Sequence, residues 1–273
     1  MLVLAKPKLV ARLPASDFPS ENPRTQTRNF SYTKPLLPTI MKNCIALIIT
    51  ILFFNSLFGQ NLEIGTDLCV INMLGAKVYE KPTLESKILT ELKVGENIII
   101  ENIVQTDEQM KIGNGFSLSG NWIKPMNING FVFSSDLSNK NVEIGQNKYG
   151  QTYINLLGKL TDKKEEKKLV KTDNGEFPKY FEYKYYENGT YTYTAWDGCF
   201  DHITEYKNLK LNEVYHQMVS DYGGIMNVNE FWIPIFQEKS GNFIKFEGEG
   251  ATEDLKIEIK ENGKIIVSSY DCT

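Results

Sequence analysis

Two histidines, His202 and His216, and four cysteines, Cys44, Cys69, Cys199 and Cys272, are the chain's whole stock of imidazole and thiol. A Cys/His peptidase needs a thiol activated at a helix N-terminus and an imidazole base on a neighbouring strand. Cys199 runs into Phe200-Asp-His-Ile203 rather than into a helical pattern, and Cys272 has only Thr273 after it, so neither has that setting. The two histidines sit in no compact ligand motif, which gives zinc no support. Asp201-His202 reads as a surface polar contact, and His216 falls on the polar side of a helix and reads as exposed. No Gly-rich loop follows a strand and opens a helix, so phosphate chemistry has no anchor either. The sequence thus assigns no catalytic residue, no metal and no cofactor.

The 273 residues are 41% hydrophobic and 12% aromatic, enough to bury the cores of two ordinary domains. A formal net charge of −4 argues against nucleic-acid binding through a broad basic surface. Residues 1–40 carry Pro7, Pro14, Pro19, Pro23, Pro35 and Pro38 with no sustained period, and read as a non-native or mis-assigned extension. Met41 then opens a signal-peptide pattern over residues 41–59: Lys42, an apolar run from Ile45 to Phe54, and the small residue Gly59. Cleavage there leaves Gln60 first. A retained anchor is the competing reading, although the run is short of the roughly 20 residues a spanning helix needs. Loss of residues 1–59 removes seven basic and two acidic residues and takes the net charge to −9. The expectation is a secreted or periplasmic protein with no stable membrane association, in a compartment that permits disulfides.

Short apolar segments punctuated by turn residues fill 66–139: Leu68 to Leu74, Ala76 to Tyr79, Ile88 to Leu92, Ile98 to Val104, Trp122 to Ile123 and Phe131 to Phe133. That spacing predicts a small barrel or sandwich. The ordered set Ala76-Lys-Val-Tyr-Glu-Lys-Pro82, Ser86 to Leu92, Lys93-Val-Gly-Glu96, Gly120-Asn-Trp-Ile-Lys124, Asn129-Gly-Phe-Val132 and Ser134-Ser-Asp-Leu137 resembles the bacterial SH3-like domain. A Gly-rich insertion, Gly113 to Gly120, interrupts that pattern. The resemblance implies a small β barrel and a binding role towards cell-wall peptidoglycan or as a targeting module. Tyr79, Trp122 and Phe131 are the candidate ligand-binding residues, since flat amphipathic rings offer contact area with a polar edge. Barrel core is their other reading. Cys69, inside an apolar strand, reads as a buried, inert thiol.

Residues 146–273 predict a β-rich α+β domain that resembles no family. Tyr153 to Leu160 reads as a strand and Asp162 to Lys168 as a solvated mixed-charge loop or helical turn. Two Glu-Asn-Gly triplets, at 187–189 and 261–263, each predict a hairpin with a three-residue loop. In the first, that register pairs Tyr185 with Tyr191 and Tyr183 with Tyr193, gathering the aromatics on one face, as core or as a stacking surface. In the second it pairs Ile259 with Ile265 and Ile257 with Val267. Leu211, Val214, Tyr215, Met218, Val219 and Tyr222 follow the spacing of one amphipathic helix, stopped by Gly223-Gly224. Further strands are predicted at Phe231 to Phe236 and Phe243 to Phe246. Cys199 and Cys272 are the candidate disulfide; two separate thiols are the alternative.

The whole reads as mainly β: a small SH3-like barrel followed by an antiparallel sheet with one helix. The expected function is non-catalytic binding in the cell envelope, to peptidoglycan or an envelope protein. The alternative is a periplasmic inhibitor or immunity-type protein whose acidic surface meets a secreted enzyme.

Overall fold

The structure is a computed structural model that describes residues 62–172, 175–227 and 230–272. They belong to one compact unit, Gly59–Thr273. The signal-peptide segment and the extension before it lie outside the described residues, and no helix among those described is long and apolar enough to cross a membrane. The fold is mainly β, built from antiparallel sheets and one helix.

Nine strands come from the first stretch: β1 (Asp67–Val70), β2 (Ala76–Tyr79), β3 (Ile88–Leu92), β4 (Asn97–Val104), β5 (Gln109–Gly113), β6 (Phe116–Ser119), β7 (Trp122–Pro125), β8 (Phe131–Phe133) and β9 (Leu137–Ser138). Seven of them form a sheet in the order β3-β2-β8-β7-β4-β1-β9. Alternation along each strand sends Leu68, Val70, Val78, Ile98, Ile100, Ile123, Val132 and Leu137 into one buried cluster. Strands from both ends of the sheet meet in that cluster, so the sheet bends over its own core, but no pairing of β3 with β9 closes it into the expected barrel.

The Gly-rich insertion is ordered. It supplies the turn and second strand of the β5–β6 hairpin, and Phe116 and Leu118 leave the first core to enter a second one. Gly113 permits this closeness: a Cβ there would lie 2.0 Å from the Phe236 ring.

The remaining strands are β10 (Glu143–Gln146), β11 (Thr152–Asn155), β12 (Leu160–Thr172), β13 (Gly175–Tyr186), β14 (Gly189–Trp196), β15 (Cys199–Tyr206), β16 (Gly224–Asn227), β17 (Glu230–Trp232), β18 (Ile235–Ser240), β19 (Phe243–Glu247), β20 (Thr252–Ile259) and β21 (Ile265–Cys272). Eight of these make a sheet in the order β12-β13-β14-β15-β21-β20-β19-β18. Helix α1 (Leu211–Tyr222) packs Val214, Met218 and Val219 onto Ile257, Ile265 and Val267 of that sheet, as its spacing predicts, and ends at Gly223. Asp162 to Lys168, expected as a loop or helical turn, lies within β12: pairing with β13 supplies its backbone partners, and its lysines and glutamates pair along and across the strands.

The second Glu-Asn-Gly triplet has the expected register, with Ile257 opposite Val267 and Ile259 opposite Ile265, and Gly263 at φ +78°. The first does not. Tyr186 faces Gly189 across a two-residue loop, so Lys184 pairs with Tyr191, while Tyr183 and Tyr185 pair with Thr192 and Thr190. The slip of one residue splits the aromatics between the two faces. The cause is tertiary: Glu187 and Asn188 donate their N–H groups to the Lys159 and Leu157 carbonyls, and the Asn188 side chain donates to Leu156. The neighbouring segment, rather than the turn's own chemistry, holds that loop.

Candidate functional site

The predicted ring residues lie together near the seam between the first stretch and α1. Trp122 is fully buried and stands edge-on to Tyr79, with ring centroids 5.1 Å apart, and tilted on Phe133 at 5.1 Å. Its indole N–H donates to Glu108 Oε2 at 2.8 Å, and Thr83 donates to the other Glu108 oxygen at 2.7 Å. Those donors, Thr83 first, hold the Glu108 carboxyl below the ordinary glutamate range despite partial burial. Phe131 packs partly buried against this cluster. Trp122 therefore presents no surface to a ligand in this structure; it braces Tyr79 from behind.

Tyr79 is 7% exposed, and that remaining surface opens into a pocket of about 270 Å³. Leu84, Met110 and Tyr79 form one side, and Tyr215 and His216 of α1 the other, with Asp136 from the short 3-10 turn Ser134–Asp136 between them. The wall is mostly apolar, with a few polar atoms converging on it, which is the ordinary make-up of a small-ligand pocket.

The polar atoms are unusual in their burial. His216 is 2% exposed, contrary to its expected place on the solvent side of the helix. The reason is that α1 is covered twice: its apolar stripe meets the sheet, and its polar stripe meets the first stretch and β11. Along that second face Glu213 takes a hydrogen bond from Ser138 Oγ at 2.6 Å, and Gln217 donates to the Ile154 carbonyl at 3.1 Å. His216 Nε2 lies 3.1 Å from the Ser135 carbonyl, which only an N–H can satisfy, and 3.5 Å from Asp136 Oδ1. Asp136 also accepts from Asn72 at 3.1 Å. In the neutral ring this leaves Nδ1 as an acceptor, and it is buried with no hydrogen-bond partner among the described residues. Burial, and then the Asp136 charge, raises the Tyr79 and Tyr215 phenols, Tyr215 to about 12, so both stay protonated donors at neutral pH.

His202 has partners the sequence reading missed. Strand alternation turns Asp201 to the opposite face, and His202 instead meets Tyr191 Oη at 2.7 Å and Asp271 Oδ2 at 3.2 Å. Tyr191 and His202 lie on consecutive strands, but Asp271 arrives from β21, far along the chain, so only the register of the sheet could have revealed the set. Cys199 and Cys272 sit opposite each other on β15 and β21 and form the expected disulfide. Cys69 is a free, buried thiol whose pKa burial raises. Among the described residues no group of three or more His, Cys, Asp or Glu side chains is gathered to hold a metal. No protein-family model, curated protein or solved structure matches the chain.

Proposed function

We propose that this is an exported, non-catalytic binding protein of the cell envelope, whose SH3-like first stretch contacts peptidoglycan or an envelope protein. The observation that carries the reading is the seam pocket: Tyr79, braced by Trp122, faces buried His216 and Asp136 across an apolar cavity. An apolar wall on which Asp136 and His216 converge suits a group that brings an apolar body and a polar edge. Helix α1 completes the pocket, so the second stretch contributes to the same site. The Cys199–Cys272 bridge is consistent with an oxidising compartment.

The test is co-sedimentation of the purified protein with insoluble peptidoglycan, beside capture from an envelope extract, at two salt concentrations. Leu84→Arg, which places a charge at the pocket wall, and Tyr79→Phe, which removes the hydroxyl and keeps the ring, weaken capture by wall or by an envelope protein under this reading. Unchanged capture in both variants, or a salt-sensitive complex with a secreted enzyme through another surface, counts against it.

A further inference from the structure

A second and larger concavity lies on the helix-covered face of the eight-stranded sheet, beyond the point where α1 ends. It holds about 720 Å³ and is bounded by residues from five strands, the last turn of α1 and the turn at Glu249-Gly250. Its floor follows from the register: Lys184, Tyr191 and Thr204 lie side by side on β13, β14 and β15, with His202 one step along and Asp271 two steps along on the same face. The helix stops at Gly223, so this part of the face lies beyond its cover.

The lining is neither apolar nor random. Tyr186, Tyr191 and Tyr222 contribute three phenols, each raised chiefly by burial, Tyr222 to about 12, and each therefore protonated. With its proton retained, Tyr191 donates to His202 Nδ1, and His202 Nε2 lies 3.2 Å from Asp271 Oδ2. That donation leaves the Tyr191 oxygen as an acceptor. It also leaves Asp271 Oδ1, which is buried and has no hydrogen-bond partner among the described residues. The cleft offers acceptors in want of donors.

Its charge points the same way. The one lysine in the lining, Lys184, is engaged by Glu182 at 3.3 Å and lies 5.4 Å from the Tyr191 ring centroid. Asp221 and Glu249 have no lysine partner among the described residues, and Asp271 has only His202. A cation near tyrosine faces and carboxylates gains both from the ring quadrupoles and from charge-assisted hydrogen bonds.

We propose that this cleft binds a ligand through a primary ammonium group, which supplies three donors and the missing positive charge. The site is distinct from the seam pocket, which Tyr79 and His216 line, and the two proposals stand or fall separately. The protein packed around Asp221 raises its carboxyl, up to about 7, against the hydrogen bond from Gln217, while its exposure to water opposes that rise.

The probe is 1,5-diaminopentane, with 1,5-pentanediol as its uncharged counterpart and tri-N-acetylchitotriose as a neutral saccharide. Each is titrated into the disulfide-intact protein at pH 8, where Asp221 is ionised, while amide signals are followed by NMR. The diamine is expected to give saturable shifts at Tyr191, His202 and Tyr222, and the diol none at the same concentration. Asp221→Asn with Asp271→Asn weakens diamine binding at least tenfold, while Asp254→Asn, elsewhere on the acidic surface, and Tyr79→Phe leave it unchanged. Unaltered melting of the double variant confirms that the cleft, not the fold, was changed. Equal shifts from diol and diamine, saturable shifts from the saccharide instead, no saturable shifts at all, or diamine binding that survives in the double variant would each overturn the proposal.

Discussion

Ser138 Oγ donates a 2.6 Å hydrogen bond to Glu213 Oε1, and both side chains are buried, so the end of the first sheet is fastened to the first turn of α1. The other Glu213 oxygen accepts the Lys210 N–H, which satisfies one of the helix's free N-terminal donors. Ser138→Ala leaves a buried carboxylate short of one donor and is expected to cost about 1–3 kcal/mol. Glu213→Gln weakens the same contact. In a double-mutant cycle read by urea unfolding, the two changes couple by about 1 kcal/mol or more, as residues in one network do. Additive effects would mean that the two stretches are not joined through this pair.

The Trp122–Glu108 hydrogen bond gives a pH-dependent prediction. Glu108 titrates below its ordinary value of 4.5 in the folded protein, so its contribution is fully present above that pH and fades as acid takes the carboxyl through its lower folded value. Glu108→Gln should flatten the acid side of the stability profile and change little at pH 7 beyond a constant offset. Trp122→Ala, which empties a fully buried indole site, should cost about 3–5 kcal/mol. Urea midpoints measured from pH 3 to pH 7 check both.

The Cys199–Cys272 bridge spans 73 residues, and by loop entropy its removal should cost about 4 kcal/mol. Cys199→Ala with Cys272→Ala should lower the urea midpoint accordingly. Under the proposed export, the protein weighed without reductant is expected to begin at Gln60 and to lack the two thiol hydrogens. Cys69 should stay unmodified by a thiol reagent until the chain unfolds, because it is buried.

The two Glu-Asn-Gly hairpins show what the sequence could disclose. At 261–263 the turn is local: Gly263 takes a left-handed conformation with open space around it, and the pattern of isoleucines sets the register. Gly263→Ala should cost about 1 kcal/mol and nothing more. At 187–189 the deciding hydrogen bonds come from Leu156, Leu157 and Lys159, which no reading of the hairpin alone would weigh. A Cβ on Gly189 would lie 2.6 Å from the Glu205 carbonyl oxygen, so Gly189→Ala should cost more than Gly263→Ala despite the identical triplet. Thermal unfolding of the two variants side by side decides it.

The same distinction explains the sites. Helix α1, the β1–β4 segments, Cys69 and the disulfide follow from periodicity, burial and counting, which are local or compositional signals. The burial of His216 does not, because it arises from a second layer laid over the polar stripe of α1, with Ser135 and Asp136 arriving from far away in sequence. The Tyr191–His202–Asp271 set was equally hidden, since it depends on β21 pairing beside β15, a long-range contact that no local pattern discloses. Tyr79 and Trp122 were singled out together for their rings, and burial separates them into a pocket wall and the brace behind it.

The central claim is that the seam pocket receives an envelope ligand, and titration of the ¹⁵N-labelled protein with soluble peptidoglycan fragments and with a fractionated envelope extract tests it most directly. The account predicts saturable shifts confined to Tyr79, Leu84, Met110 and the Tyr215–Val219 turn of α1, reduced in Leu84→Arg. Saturable shifts elsewhere with these residues unmoved, or no shift from any fraction, would contradict it.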